Sequence, residues 1–441
     1  MYVLKRVNRD VYIIEKLINI VEPGGVLLFK SLTVPSFRWL WTGQLLSQFG
    51  NSVFLVMALW EIQLRDPVLL SLAGLAMMLP QLLAAVGGIV VDRMDAARLM
   101  LWTDIMRGGA VLLGLLVLMG QPSWRPWIII VLLAVNALGN ALFGPAESVV
   151  MPRLVAESEL PSANGLYSVT FQLSNAIGAA IGGAAIAAIG VSAVFGFDLG
   201  SFWFSALAIL LMMRAVAGRF GSPSAKPAQE SSPAPGFREG WKAISGLRWF
   251  VILLPLILLG NFTGNGAFLV LPYWIHHHLH ATATWYGIAS ASWAMGTVFG
   301  SLSGGALGRF SLRKTVGVLG FAEGVLMLVF AMAKGVPMAS GAFLLAGAAN
   351  GGLNVLLITL MQKAVPEEVR GRAFGLLMTV LTAASPLAAA VIGLTLTAVP
   401  VIIWYLASAF SACVLGVGLW MIMPDKSESG PAAEAMPVES V

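Results

Sequence analysis

The charged candidates inside the long apolar stretches of this sequence are Asp104, Arg107, Glu147, Asp198 and Glu323. If those stretches cross a bilayer, each charge costs about 2.5–3.5 kcal/mol even on the mildest scale, so it must be paired or functional. Asp104 and Arg107 are three residues apart and share a helix face, which is the spacing of an ion pair. Asn51 and Asn261 are the milder candidates, each near the centre of an apolar stretch. Such an amide either meets a polar ligand or bonds to a neighbouring helix, a contact worth under about 1 kcal/mol. A third constellation is GIVVDRMDAAR, residues 88–98. It sets Asp92, Arg93 and Arg98 in a short gap between two apolar stretches, with Gly88 four residues before the aspartate. The glycine allows close helix packing and the charges sit at the membrane surface, the make-up of a gate at a helix junction.

Other chemistry is thinly represented. His276, His277, His278 and His280 cluster, and positions 276 and 280 can share a helix face, but no acidic or cysteine ligand lies nearby in sequence. No metal site is expected there. No G-x-x-x-x-G-K-S/T loop for ATP is present, and no H-E-x-x-H or G-x-S-x-G motif points to hydrolysis. The sequence therefore reads as neither an enzyme nor a cofactor-binding protein, and an ion gradient is the remaining energy source. The single cysteine, Cys413, excludes an intrachain disulfide.

The elements that carry these residues are membrane helices. The chain has 441 residues, 58% hydrophobic and 11% charged, where a soluble protein carries about a quarter charged. Apolar stretches of about 20 residues mark spanning helices. Twelve can be drawn: 39–62, 67–91, 99–120, 126–150, 163–189, 191–213, 249–274, 285–307, 315–333, 338–362, 373–398 and 400–423. With both termini cytoplasmic, 22 of the 26 Lys and Arg fall on the inner side, and only Arg65, Arg125 and Lys334 fall outside. That bias fixes the orientation, a multi-pass protein of the cell (inner) membrane. The net charge of +5 could suggest nucleic acid, but the basic residues are spread among loops and form no stripe.

The chain divides accordingly. Residues 1–35 form a cytoplasmic extension, 36–213 a first six-helix bundle, 214–247 a cytoplasmic linker, 248–423 a second bundle, and 424–441 a disordered cytoplasmic tail. The linker contains RFGSPSAKPAQESSPAPG, rich in Pro, Ser and Ala, and REGWKAISGLRW after it suits a helix lying on the membrane surface. Residues 1–25 mix charges with short apolar runs and show no cleavable signal pattern; a start near Val26 would remove them. The halves also repeat. Arg38-Trp39 returns as Arg248-Trp249, Gly50-Asn51 as Gly260-Asn261, and Gly165 as Gly375, all 210 residues apart. The gate loop has a weaker copy in Gly304, Gly308, Arg309, Arg313 and Lys314. Parallel repeats of this kind build two bundles about an axis along the membrane normal.

The pattern G-x-x-x-D-R at Gly88, Asp92 and Arg93 resembles the loop between helices 2 and 3 of the major facilitator superfamily of transporters. The resemblance extends over most of residues 36–423. TDIMR, FGPAESVVMPRLV, FDLGSFWFSAL, the EGW before the seventh span and VPEEVRGRAFG resemble its efflux branch, which includes enterobactin exporters and macrolide efflux proteins. The implied fold is all-α and polytopic, twelve transmembrane helices in two pseudo-symmetric six-helix bundles. The resemblance implies that Asp92 holds the amino end of the eleventh span, worth about 0.3–1 kcal/mol. It places spans 1, 4, 7 and 10 around a cavity, so Asn140, Asn265, Asn350 and Asn354 join Asn51 and Asn261 there, with Gln172 and Asn175 on span 5 as further candidates. Walls are expected from Phe54, Phe143, Phe268 and Trp293. Gly165, Ser174, Gly178, Gly182 and Gly183 fall on the spacing of a glycine-rich exporter motif, with Ser174 for a glycine and Ala179 for a proline; the alternative is ordinary small-residue packing. Asp95, Ala96 and Ala97 also depart from the usual gate pattern. Span 4 lacks the arginine that drug/proton antiporters usually carry near Val135, and Asn51 stands where an acidic residue is frequent.

The expected function is secondary active export of a hydrophobic or amphipathic small organic molecule, such as a drug, siderophore or secreted metabolite, in exchange for protons and by a monomer. Glu147 is the first candidate proton carrier, with Asp104 the second; Glu147 could equally be a solvated partner of Arg153. The alternatives are an importer or lipid flippase on the same fold, or a non-transporting receptor or assembly factor.

Overall fold

The computed structural model of the protein describes residues 30–83, 94–216, 245, 247–307, 310–365 and 367–423. Among the described residues all regular structure is helical. The first half contains α1 (Pro35–Arg65), α2 (Leu69–Met78), α3 (Ala96–Gly120), α4 (Arg125–Leu154) and α5 (Leu160–Ala215). The second contains α6 (Arg248–Leu269), α7 (Leu271–His277), α8 (Ala283–Leu307), α9 (Leu312–Ala331), α10 (Val336–Ala364), α11 (Glu367–Thr395) and α12 (Ile402–Ile422). Helices α1, α4, α5, α7 and α10 all begin with proline in the first turn, where its missing N–H and fixed φ cost nothing. Asp95 caps α3 by accepting the backbone N–H of Arg98 at 3.0 Å. This residue, foreign to the family's loop pattern, thus has a local structural task.

Gly190 is the hinge of the long helix α5, with φ +75°. That left-handed conformation is open to glycine and strained for other residues, and α1 shows that the chain reverses there. Before Gly190, α5 runs alongside α1 in the same direction: Trp41 meets Thr170, then Gly178 meets Ser52 and Gly182 meets Val56. After it the order inverts, with Phe195 against Phe54, Ser201 against Gly50 and Ala208 against Gly43. α5 therefore supplies two spans, while α6 and α7 together make one, giving the twelve-span arrangement that the sequence predicts.

Burial is inverted relative to a soluble protein. Leu113, Met119 and Leu394 are 64%, 78% and 81% exposed, whereas Asp104, Asp198 and Ser205 are fully buried. Only a lipid solvent makes that arrangement favourable. Eight helical stretches among the described residues are long and apolar enough to cross a membrane, with Leu69–Leu82 and Val380–Thr395 as shorter apolar helices.

Small residues set the helix contacts. Gly296, Gly300, Gly347 and Gly351 press α8 and α10 together backbone to backbone, the packing that membranes favour because lipid competes for every other apolar contact. The two halves meet at the end that holds Gly190. There Gly183 lies against the Ala283 carbonyl, Gly287 against that of Ala179, and Gly393 against Ser71. Trp60 of α1 stacks on Tyr286 at 6.0 Å and takes His276 edge-on at 5.4 Å. The gate residues Gly88, Asp92 and Arg93, together with residues 1–29, 217–244 and 424–441 of the expected extension, linker and tail, lie outside the described residues.

Replacing Gly351 by valine should cost about 1–3 kcal/mol of stability through overpacking, because an added Cβ would strike the Thr297 carbonyl. Gly109→Ala, with open space around it, should be neutral or slightly stabilising. Thermal unfolding of the two purified variants compares them directly.

Candidate functional site

Each half buries one polar cluster, and the two are built differently. In the first half, Ser205 donates to Asp104 Oδ2 at 2.6 Å and accepts from Gln44 Nε2 at 3.1 Å. Tyr167 donates to Gln44 Oε1 at 3.3 Å and also lies beside the Glu147 carboxylate. Arg107 pairs with Asp104 at 3.4 Å, donates to Asn140 Oδ1 at 3.0 Å, and lies 5.6 Å from the centroids of both Phe143 and Phe202. Gly139 makes the space, since a Cβ there would collide with the guanidinium. Asp198 is fully buried beside Gly50, and neither of its carboxylate oxygens has a hydrogen-bond partner among the described residues. Its electrostatic partner is again Arg107. Asp104 and Asp198 therefore share one guanidinium, while Glu147 is answered by the Tyr167 hydroxyl, so the carboxyl groups of this cluster outnumber its cation.

The second half encloses space. A cavity of about 310 Å³ lies among α6, α8, α9, α10 and α12. On one side Asn354 donates to Asn350 Oδ1 at 2.9 Å, and Asn350 donates to Glu323 Oε1 at 3.0 Å. Asn261 and Asn265 line it too, with their Nδ2 groups donating to carbonyls of their own helix, Ile257 at 3.0 Å and Asn261 at 2.7 Å. Phe268, Trp293 and Phe343 also line it, with ring centroids 4.9–5.6 Å apart.

Four of the amides expected at a cavity, Asn261, Asn265, Asn350 and Asn354, are therefore brought together. Asn140 is held by Arg107 instead. Gln172 is half-buried on the first arm of α5, outside this cavity, and Asn51 is half-buried on α1 with its Oδ1 sealed and unpartnered among the described residues. The repeat-related pair is thus split between an enclosed interior and an open one. Phe268 and Trp293 are cavity walls, while Phe54 and Phe143 pack inside the first half. Glu147 is buried against Tyr167, and no ion pair joins it to Arg153 among the described residues. The histidines pack on aromatic rings, His276 on Trp60, His277 on Tyr273 and His278 on Trp274, with His276 and His277 edge to face at 4.7 Å. No group of three or more His, Cys, Asp or Glu able to hold a metal ion occurs among the described residues. Sequence reasoning missed Gln44, Tyr167 and Ser205. A signal existed, because Gln44 precedes Asn51 by seven residues and Ser205 follows Asp198 by seven, two helical turns on one face.

Two six-span halves, each with buried polar groups and joined at one end, define a polytopic transporter fold. The family profile described as Major Facilitator Superfamily matches residues 40–389 and 255–439, and the chain belongs to that superfamily. It is 28% identical over 362 residues to the MFS-type transporter YfiS of Bacillus subtilis, covering 78% of this chain and 82% of that one. It is 26% identical over 358 residues to the multidrug efflux pump Tap of Mycobacterium tuberculosis, covering 78% and 83%. Among solved structures, a bacterial homologue of the iron transporter ferroportin in an inward-facing state superimposes with a TM-score of 0.66 at 18% identity, over 88% of this chain and 98% of that one.

Removing one partner of the buried Asp104–Arg107 pair should cost about 3–5 kcal/mol, because the other is left as an unpaired charge. Asp104→Asn should therefore unfold at clearly lower temperature than the wild type. The double variant Asp104→Asn/Arg107→Gln should regain part of that loss, as read by thermal unfolding in detergent.

Proposed function

We propose that the protein is a secondary active exporter of hydrophobic or amphipathic small organic molecules, working as a monomer by alternating access and drawing on protons. The observation that carries this is the amide-lined and aromatic-walled cavity of the second half, in a chain whose halves touch through small residues at one end. Similarity to a multidrug efflux pump over 78% of the chain favours export over import. With both termini cytoplasmic, a reading that the distribution of basic residues supports, the touching end faces outward. The gate is assigned to Gly88, Asp92, Arg93 and Arg98, and the cavity to Asn261, Asn265, Asn350 and Asn354. Asn51, Asn140 and Gln172 serve the first half's side of the route.

Proton exchange fits the first half. Its three carboxyl groups and single guanidinium leave Glu147 and Asp104 as exchangeable sites, reached through Tyr167 and Ser205 respectively. A proton crossing the membrane supplies about 2.3 kcal/mol per 100 mV of potential. The cycle then alternates which end of the two halves is in contact.

Inverted membrane vesicles containing the protein should accumulate a fluorescent amphipathic dye when energised, and an uncoupler should stop them. Asp92→Asn should lower the rate about tenfold or more, and Asn51→Leu should change apparent dye affinity more than expression. Uptake indifferent to the uncoupler would remove proton coupling; full flux in Asp92→Asn would remove the gate assignment.

A further inference from the structure

We propose that the cavity of the second half selects organic monocations, with Glu323 as the counter-charge. The inference rests on the reading of that cavity as a ligand site and specifies its ligand. Glu323 lies midway along α9, lines the cavity, and is held at Oε1 by Asn350. No hydrogen bond to its second oxygen occurs among the described residues, and no Lys, Arg or His nitrogen lies within 4.0 Å of the carboxylate there. None of the side chains lining the cavity is basic. This contrasts with the first half, where Asp104 and Asp198 are close to Arg107 and Glu147 to the Tyr167 hydroxyl.

The hydrogen bonds run one way. Asn354 donates to Asn350, and Asn350 donates to Glu323, so each donor is aimed toward the carboxylate and supports charge on it. Phe268, Trp293 and Phe343 line the same space, and an aromatic lining favours a cation with an apolar body. A neutral guest would occupy the cavity while leaving the carboxylate without its counter-charge, which is costly away from water. A cation with an aromatic or alkyl body satisfies both sides at once. Its size follows from the volume: 310 Å³ is at the lower end of the roughly 300–1,000 Å³ typical of small-molecule pockets. That admits one or two rings and not a macrocycle.

The test is equilibrium binding to the full-length protein in lipid nanodiscs, corrected for empty discs. The probes are N-methyl-4-phenylpyridinium, permanently charged, and 4-phenylpyridine, its near-isostere, which is neutral at mildly alkaline pH. The wild type should bind the cation about tenfold or more tighter than the neutral probe. Glu323→Gln, which keeps the shape and an acceptor for Asn350, should abolish that preference and leave the neutral probe within about twofold. Gly264→Asp, adding a second carboxylate at a cavity position where a Cβ meets nothing within 4 Å, should tighten the cation further, and it carries the test if Glu323→Gln does not fold. Equal binding of both probes, or a preference that survives Glu323→Gln, overturns the selection of cations while the cavity remains a ligand site. Binding of neither probe overturns both.

Discussion

Lipid offers no hydrogen bonds, so every polar group that enters the bilayer must be answered from within the protein. The rest of this structure follows from how the two halves meet that demand. The first closes one set of its polar groups on one another: Gln44, Asp104, Arg107, Asn140, Tyr167 and Ser205 are connected across α1, α3, α4 and α5. The second leaves a space and sets amides around it. Sequence repeats that start from the same plan have thus diverged into a braced interior and a hollow one.

The contact between the halves is of a different kind again. It is made by Gly183, Gly287 and Gly393 against backbone or small side chains, and by a Trp60–Tyr286 stack with His276. Close packing of small residues gains from shape and little else, so it can part without stranding a buried charge. The glycines on the first arm of α5 divide this work: Gly178 and Gly182 pack within the half against α1, and Gly183 packs across to α8. A single motif serves both the internal rigidity of one half and its separable contact with the other.

Much of this was legible in the sequence because the bilayer imposes a simple code. Apolar length gave the spans, including the division of 163–189 from 191–213, and the three-residue spacing of Asp104 and Arg107 gave their pairing. What stayed hidden depends on which helix faces which. Asn51 and Asn261 are equivalent by repeat, yet Asn51 is half-buried on α1 with its Oδ1 sealed while Asn261 lines a cavity, because their helices meet different neighbours. Asn140 looked like a cavity residue until Gly139 was seen to admit the Arg107 guanidinium beside it. Glu323 carried no motif at all, and its importance comes from Asn350, 27 residues away on the neighbouring helix.

The central claim is that the two halves move as bodies whose contact alternates between their ends. Spin labels on Ser192 and Thr282, exposed in the two halves near the Gly190 end, and on Arg153 and Lys314, exposed near the other, report it by pulsed electron spin resonance on the protein in lipid. Between proton-loaded and proton-depleted conditions, the account predicts that one distance lengthens as the other shortens. Two distances that stay fixed, or that change in the same direction, under conditions that support transport would contradict it.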